Sequence, residues 1–130
     1  MEDPTDDGVR HAPLRSFIGG QGTRLRNVGW PLTRMDLYSD MIRLRPIVRF
    51  LRVLVPTWEA RFEEITEVRA IGKVDFFTTG VRFRTNRPRD FAVFWTFQRP
   101  DVLNSLEAVG LAVHRDPARF HYLNPDLDRY

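Results

Sequence analysis

The sequence lacks several residue types and patterns, and each absence excludes a class of structure. It contains no cysteine, which excludes disulfides and thiolate metal sites. It also has no run of about 18 uncharged apolar residues, so it predicts no transmembrane helix. The acidic start, MEDPTDDGVR, differs from the basic and apolar regions of a signal peptide. We therefore expect one cytoplasmic domain in these 130 residues.

Recognisable catalytic motifs are absent as well. The histidines do not have zinc-ligand spacing, and the serines lack the turn that presents a nucleophile. Gly19, Gly20 and Gly22 are not followed by the Lys-Ser or Lys-Thr pair of a phosphate-binding loop. A group of acids fits surface positions of strands and turns: Glu59, Glu63, Glu64 and Glu67. We predict that the chain is not an enzyme and holds no metal or cofactor.

Lysine is nearly missing, because 19 of the 20 basic residues are arginine and only Lys73 is lysine. The charges are also separated along the chain: residues 1–7 carry −4, residues 8–99 carry +9 and residues 100–130 carry −2. Arginine makes bidentate contacts with phosphate, so the basic middle suits phosphate or an anionic membrane. The alternative interpretation places these arginines in water on the outer faces of strands.

The stretch from Phe91 to Gly110, FAVFWTFQRPDVLNSLEAVG, predicts a strand that runs into a one-sided helix. The helix is predicted from Pro100 to Val109, because apolar residues recur there with helical spacing. Gly110 suits a left-handed residue at the end of that helix, and Leu111 is placed to fold back onto Leu106. Alternation predicts that one strand face carries large apolar side chains: Phe91, Val93, Trp95 and Phe97.

Alternation of apolar and charged residues predicts five further strands. A turn at Ser39-Asp40 makes the first two a hairpin, and Leu111 to His114 is predicted as a last extended piece. We predict a flexible acidic tail over residues 1–22, one domain over 23–114 and a second tail over 115–130. The five strands are Trp30 to Tyr38, Ile42 to Arg45, Trp58 to Phe62, Ile65 to Lys73 and Gly80 to Thr85. This order predicts an α+β, mostly β fold.

The segment from Pro46 to Pro56, PIVRFLRVLVP, interrupts the strands. If it is helical, the arginine spacing places Arg45, Arg49 and Arg52 on one side, opposite apolar residues that include Phe50, Leu51 and Leu54. A helix, a hairpin and a loop all fit the segment, since so short an isolated helix is marginal. It is either a cover for the sheet, a site for a protein partner or self-association, or a contact with an anionic membrane.

A second basic group follows in the chain: Arg82, Arg84, Arg87 and Arg89. It is a candidate anion patch and suggests nucleic acid as a ligand. Binding of single-stranded nucleic acid also needs exposed aromatic side chains for stacking. Because Phe83, Phe91, Trp95 and Phe97 are predicted to be core residues, nucleic acid is the least favoured ligand.

The element order and the segments WPLTRMDLYSDMIRL, FEEITEVRAI, GVRFRTN and FAVFWTFQRPDVLNSLEAVG resemble small bacterial PH-like (pleckstrin-homology or GRAM-like) proteins. The resemblance spans about Trp30 to Leu111. It implies a bent antiparallel sheet, or partly open barrel, capped by the C-terminal helix. It also implies a phosphoinositide, peptide or protein ligand. Lipid-binding members use basic residues in the loop after the first strand, predicted here as Tyr38-Ser39-Asp40, which has no Lys or Arg.

Together with this resemblance, the sequence predicts a non-catalytic interaction module, and the resemblance implies that its fold is PH-like. Its ligand is predicted to be a protein partner or a second copy of the chain. The alternative is peripheral binding to anionic lipid through the basic and apolar segment 45–55. The candidate contact residues are Arg45, Arg49, Phe50, Leu51, Arg52 and Leu54.

Overall fold

The computed structural model describes residues 12–23, 27–72, 79–121 and 124–129. The fold is mostly β. The described strands are β1 (Arg15–Thr23), β2 (Asn27–Leu37), β3 (Met41–Pro46), β4 (Trp58–Arg61), β5 (Ile65–Ile71), β6 (Gly80–Thr85), β7 (Phe91–Trp95), β8 (His114–His121) and β9 (Asn124–Arg129). The described helices are α1 (Leu51–Leu54), a 3-10 helix (Phe62–Glu64) and α2 (Arg99–Ala108).

The strands form an open sheet in the order β4-β3-β2-β1-β7-β6-β5-β8-β9. Strands β1 to β4 make one antiparallel meander, and β5 to β7 make a second one. The two meanders are joined where β1 pairs with β7, with Gly20 opposite Trp95. Strand β8 pairs with β5 in parallel, and β9 pairs with β8. The open sheet thus has β4 at one end of the strand order.

Helix α2 packs on the sheet as the apolar spacing predicts. Val102, Leu103 and Leu106 are buried in the main core, which also contains Ala92 and Phe94 of β7. The helix ends in a Schellman motif, because the Gly110 N–H donates to Glu107 O and the Leu111 N–H donates to Leu106 O. Gly110 has a φ of 99°, which confirms the left-handed conformation predicted for it.

The apolar face predicted for β7 is not the face that meets the main core. Ala92 and Phe94 point into that core, whereas Phe91 and Val93 form a second cluster with Ile71. Both faces of β7 are therefore buried, because alternate residues of the strand belong to two different apolar clusters. Alternation alone does not show which of two buried faces meets the main core. The prediction of a buried Phe97 is wrong, since Phe97 follows the strand and is 56% exposed.

The flexible tail predicted for residues 1–22 is wrong for residues 15–22, which belong to β1. The glycines there indicated flexibility, but a Cβ on Gly19 would lie 2.1 Å from Trp95 O, so this glycine permits close packing of the backbones. Phe17 of the same strand is buried in the main core. Residues 1–11 lie outside the described part of the chain.

The second tail, predicted for residues 115–130, instead carries most of β8 and β9. The strands predicted between Trp30 and Thr85 correspond to β2 to β6, and the Tyr38 N–H donates to Met41 O across the predicted turn. Because β1 precedes them, the loop after the first strand is not Tyr38-Ser39-Asp40. Residues 24–26, between β1 and β2, lie outside the described part of the chain.

Candidate functional site

The segment between β3 and β4 carries a group of exposed apolar side chains. Ile47, Phe50, Val53 and Leu54, here called the apolar patch, are 41%, 69%, 86% and 60% exposed. Among the residues whose side-chain burial is described, eight large apolar side chains are exposed, and half of them belong to this patch. Such a concentration of exposed apolar side chains is typical of an interaction surface.

Local contacts hold this segment in place. The Ile47 N–H donates to Leu32 O at 2.8 Å, which continues the pairing of β2 with β3 by one residue. Arg52 Nε donates to Pro46 O at 3.0 Å, so the chain folds back on the end of β3. Val55 is buried and leads the chain towards β4. Helix α1 has only four residues and buries none of them. It is therefore held by these contacts and not by a packed face.

The predicted stripe of three arginines on one helix face does not form. Arg45 belongs to β3 and is buried, and Arg49 precedes α1 and is exposed. Arg52 is the member of the three that lies in α1. Leu51 is half-buried, whereas Val53, which was not among the predicted contact residues, is the most exposed side chain of the patch. The segment is thus a short helix within an exposed connection.

Three arginines line a cavity of about 220 Å³ beside the apolar patch. Arg34, Arg45 and Arg52, here called the arginine pocket, share this lining with Pro46 and Ile47. Arg34 and Arg45 are direct cross-strand partners on β2 and β3. The sequence did not indicate Arg34, because only the register of the two strands brings it next to Arg45.

A buried carboxylate supports two of these arginines. Asp36 Oδ1 accepts hydrogen bonds from Arg34 Nε at 2.7 Å and from Ser16 Oγ at 2.6 Å. Asp36 Oδ2 lies 4.0 Å from Arg45 Nη2. Asp36 itself is fully buried. The outer face of β2 and β3 therefore holds charged groups that the surrounding protein screens from water.

The second predicted anion patch does not exist as one surface. Arg82 is fully buried, and its Nη2 donates to Glu67 Oε1 at 2.9 Å. Arg69 Nε and Arg84 Nη1 also contact Glu67, at 3.2 Å and 3.3 Å. Burial raises the pKa of the Glu67 carboxyl, but the hydrogen bond and charge of Arg82, with Arg69 and Arg84, outweigh it and lower that pKa. These contacts are structural.

The two remaining members of that patch lie in the turn between β6 and β7. Arg87 Nη2 lies 2.7 Å from Asp90 Oδ2 and also donates to Glu59 O of the end strand β4. This hydrogen bond covers a carbonyl on a strand at the end of the sheet order. Arg89 is exposed, has a φ of 55° and lines a separate cavity of about 260 Å³ that includes Trp58 and Phe91.

Among the described residues, no three His, Asp or Glu side chains are grouped so that they could hold a metal ion. Within the same ranges, no helix is long and apolar enough to cross a bilayer. Compared with protein-family models, with curated proteins and with solved structures, the chain gives no match.

Proposed function

We propose that this chain is a non-catalytic interaction module of PH-like fold that associates with a second copy of itself through the apolar patch. The observation that carries the proposal is the exposure of Ile47, Phe50, Val53 and Leu54 on one short connection. Two antiparallel meanders, followed by a helix packed on the sheet, support the PH-like assignment.

Pairing of two copies removes this apolar surface from water. Burial stabilises by about 25 cal/mol for each Å² of apolar surface, and aromatic side chains contribute most of such interfaces. A twofold arrangement is the commonest one for a homodimer, and it sets each patch against its equivalent. Phe50 and Val53 then lie at the centre of the contact, with Arg49 at its rim.

The charge at that rim distinguishes self-association from binding to an anionic surface. In a twofold contact Arg49 and Arg52 of both copies approach each other, so added salt screens a repulsion. We therefore expect association to be unchanged or tighter as salt rises. Binding to an anionic surface weakens under the same change.

Sedimentation equilibrium over a range of protein concentrations tests the proposal. We expect the weight-average mass of the wild type to rise above that of a monomer, and Phe50→Asp to remain monomeric. Phe97→Asp is the matched control, because Phe97 is also an exposed phenylalanine but lies outside the patch. A wild type that stays monomeric at every concentration overturns self-association. Equal loss of association in both variants places the contact elsewhere.

Peripheral binding to anionic lipid is the second candidate, since Arg49 and Arg52 lie beside exposed Phe50 and Val53. Each arginine near an anionic surface contributes about 1 kcal/mol. The four residues of α1 offer a smaller apolar face than known interfacial helices. We expect negligible co-sedimentation with phosphatidylserine vesicles. Salt-sensitive co-sedimentation that is lost in an Arg49→Glu, Arg52→Glu variant would favour the lipid function instead.

A further inference from the structure

We infer that the arginine pocket is a binding site for a phosphate group. Its three guanidinium groups come from different elements: Arg34 from β2, Arg45 from β3 and Arg52 from α1. The lining of the cavity contains these arginines with Pro46 and Ile47, and no carboxylate. At about 220 Å³ the cavity has room for an oxyanion together with several water molecules.

The first reason is the facing pair of like charges. Arg34 and Arg45 are opposite each other on antiparallel strands, an arrangement that is unfavourable for two cations unless an anion lies between or beside them. Asp36 lies near both arginines, but its Oδ1 is 2.7 Å from Arg34 Nε, whereas its Oδ2 is 4.0 Å from Arg45 Nη2. A phosphate in the cavity supplies a second anion to the same pair.

The second reason is the position of Arg52. Its Nε donates to Pro46 O, and both residues line the cavity, so this hydrogen bond holds the Arg52 side chain beside it. No carboxylate of the described residues lies within ion-pair distance of Arg52. Arg52 is therefore held in place by its Nε, and no carboxylate of the described residues pairs with its terminal nitrogens.

The third reason concerns the shape and charge of the ligand. A carboxylate has two oxygens in one plane, which one or two guanidinium groups satisfy. A phosphate has three or four oxygens in a tetrahedral arrangement and carries about −1.5 to −2 charges near neutral pH. Three arginines that line one cavity from a sheet and a helix suit the tetrahedral group better. Burial of Arg45 strengthens the interaction, since the effective dielectric constant is lower there.

Isothermal titration with inorganic phosphate, at constant ionic strength and with chloride as the reference anion, tests this site on the full chain. We expect saturable binding of phosphate that Arg52→Gln weakens by roughly tenfold or more. Arg61→Gln is the matched control, because Arg61 is an exposed arginine outside the pocket that contacts Asp40 and Glu63. We expect that variant to bind phosphate like the wild type.

Arg52→Gln is chosen because Arg34 and Arg45 also support Asp36, so their loss risks the fold. Unfolding midpoints equal to those of the wild type establish that the variant is folded. Absence of saturable phosphate binding by the wild type overturns the proposal, as does equal weakening by Arg52→Gln and Arg61→Gln. Phosphate binding and self-association are tested separately, because Phe50→Asp retains all three arginines of the pocket. Saturable phosphate binding by that variant supports the site even where association is lost.

A second arm identifies the source of the phosphate group. Phosphatidic acid vesicles and a soluble phosphate monoester, glycerol phosphate, are each added in competition with inorganic phosphate. Displacement by both supports a site open to lipid headgroups. Displacement by the monoester alone supports a soluble phosphorylated ligand. Displacement by neither, with inorganic phosphate bound, contradicts a site for a phosphate group carried by a larger molecule.

Discussion

Arg82 of β6 and Glu67 of β5 form a buried ion pair in which Nη2 donates to Oε1 at 2.9 Å. The Arg82 side chain has no solvent exposure, and that of Glu67 has little. Removing a charge from water is costly, and this pair persists because Glu67 also contacts Arg69 and Arg84. Arg82 and Glu67 are thus charged residues at a buried position on the outer face of β5 and β6.

The first prediction concerns this pair. Glu67→Ala leaves Arg82 buried without its carboxylate, so we expect a loss of about 3–5 kcal/mol of unfolding free energy. Glu63→Ala is the control, because the Glu63–Arg61 pair is exposed and such pairs contribute about 1 kcal/mol or less. Chemical denaturation of both variants checks this. Equal losses in the two variants would contradict a special role for Glu67.

The second prediction is the pH dependence of stability that follows from Glu67. Its pKa in the folded protein is below the ordinary value of 4.5, which the unfolded chain retains. The carboxylate therefore stabilises fully above about pH 4.5, and this stabilisation is lost as the pH falls through the lowered pKa. We expect Glu67→Gln to lose less stability than the wild type between neutral and acidic pH. Parallel curves of stability against pH for the two proteins would contradict this role of Glu67.

The third prediction contrasts two glycines. Gly19→Ala places a Cβ 2.1 Å from Trp95 O, so β1 and β7 must separate. Gly110→Ala meets no atom within 4 Å and suffers only from its φ of 99°, at a cost of about 1–2 kcal/mol. We expect Gly19→Ala to lower the melting temperature far more than Gly110→Ala. A neutral Gly19→Ala would support a flexible tail at this position and not a paired strand.

The fourth prediction concerns α2. Leu103→Ala or Leu106→Ala removes a buried side chain from the main core and leaves a cavity, at a cost of about 2–5 kcal/mol. Glu107→Ala changes an exposed residue of the same helix, and we expect an almost unchanged unfolding midpoint. Losses below about 0.5 kcal/mol in both leucine variants would show that α2 does not pack on the sheet.

The strands from β2 to β6 were predictable because their alternation of apolar and charged residues is local. Alternation identifies the two faces of a strand, but not whether the outer face is covered. Arg82 illustrates this, since its register partner Val93 belongs to the second apolar cluster on the outer face. Arg45 was predicted as a contact residue for a partner or lipid, but it is buried beside Asp36.

The features that could not be predicted from the sequence depend on contacts between distant parts of the chain. Nothing local to the glycines of β1 shows that they lie against Trp95. The arginine pocket depends on the register that places Arg34 opposite Arg45, and on the turn that brings Arg52 back to Pro46. Of the predicted contact residues, Arg49, Phe50 and Leu54 are exposed. The exposed Val53 was not predicted.

The most direct test of the interaction surface is backbone amide exchange of residues 47–55, measured at low and high protein concentration. We expect exchange in this segment to slow as the concentration rises, because a second copy covers the apolar patch. Residues 107–111, at the end of α2, are the internal control, and we expect their exchange to stay constant. Exchange of residues 47–55 that does not depend on concentration, in samples whose mass rises, would contradict association through this surface.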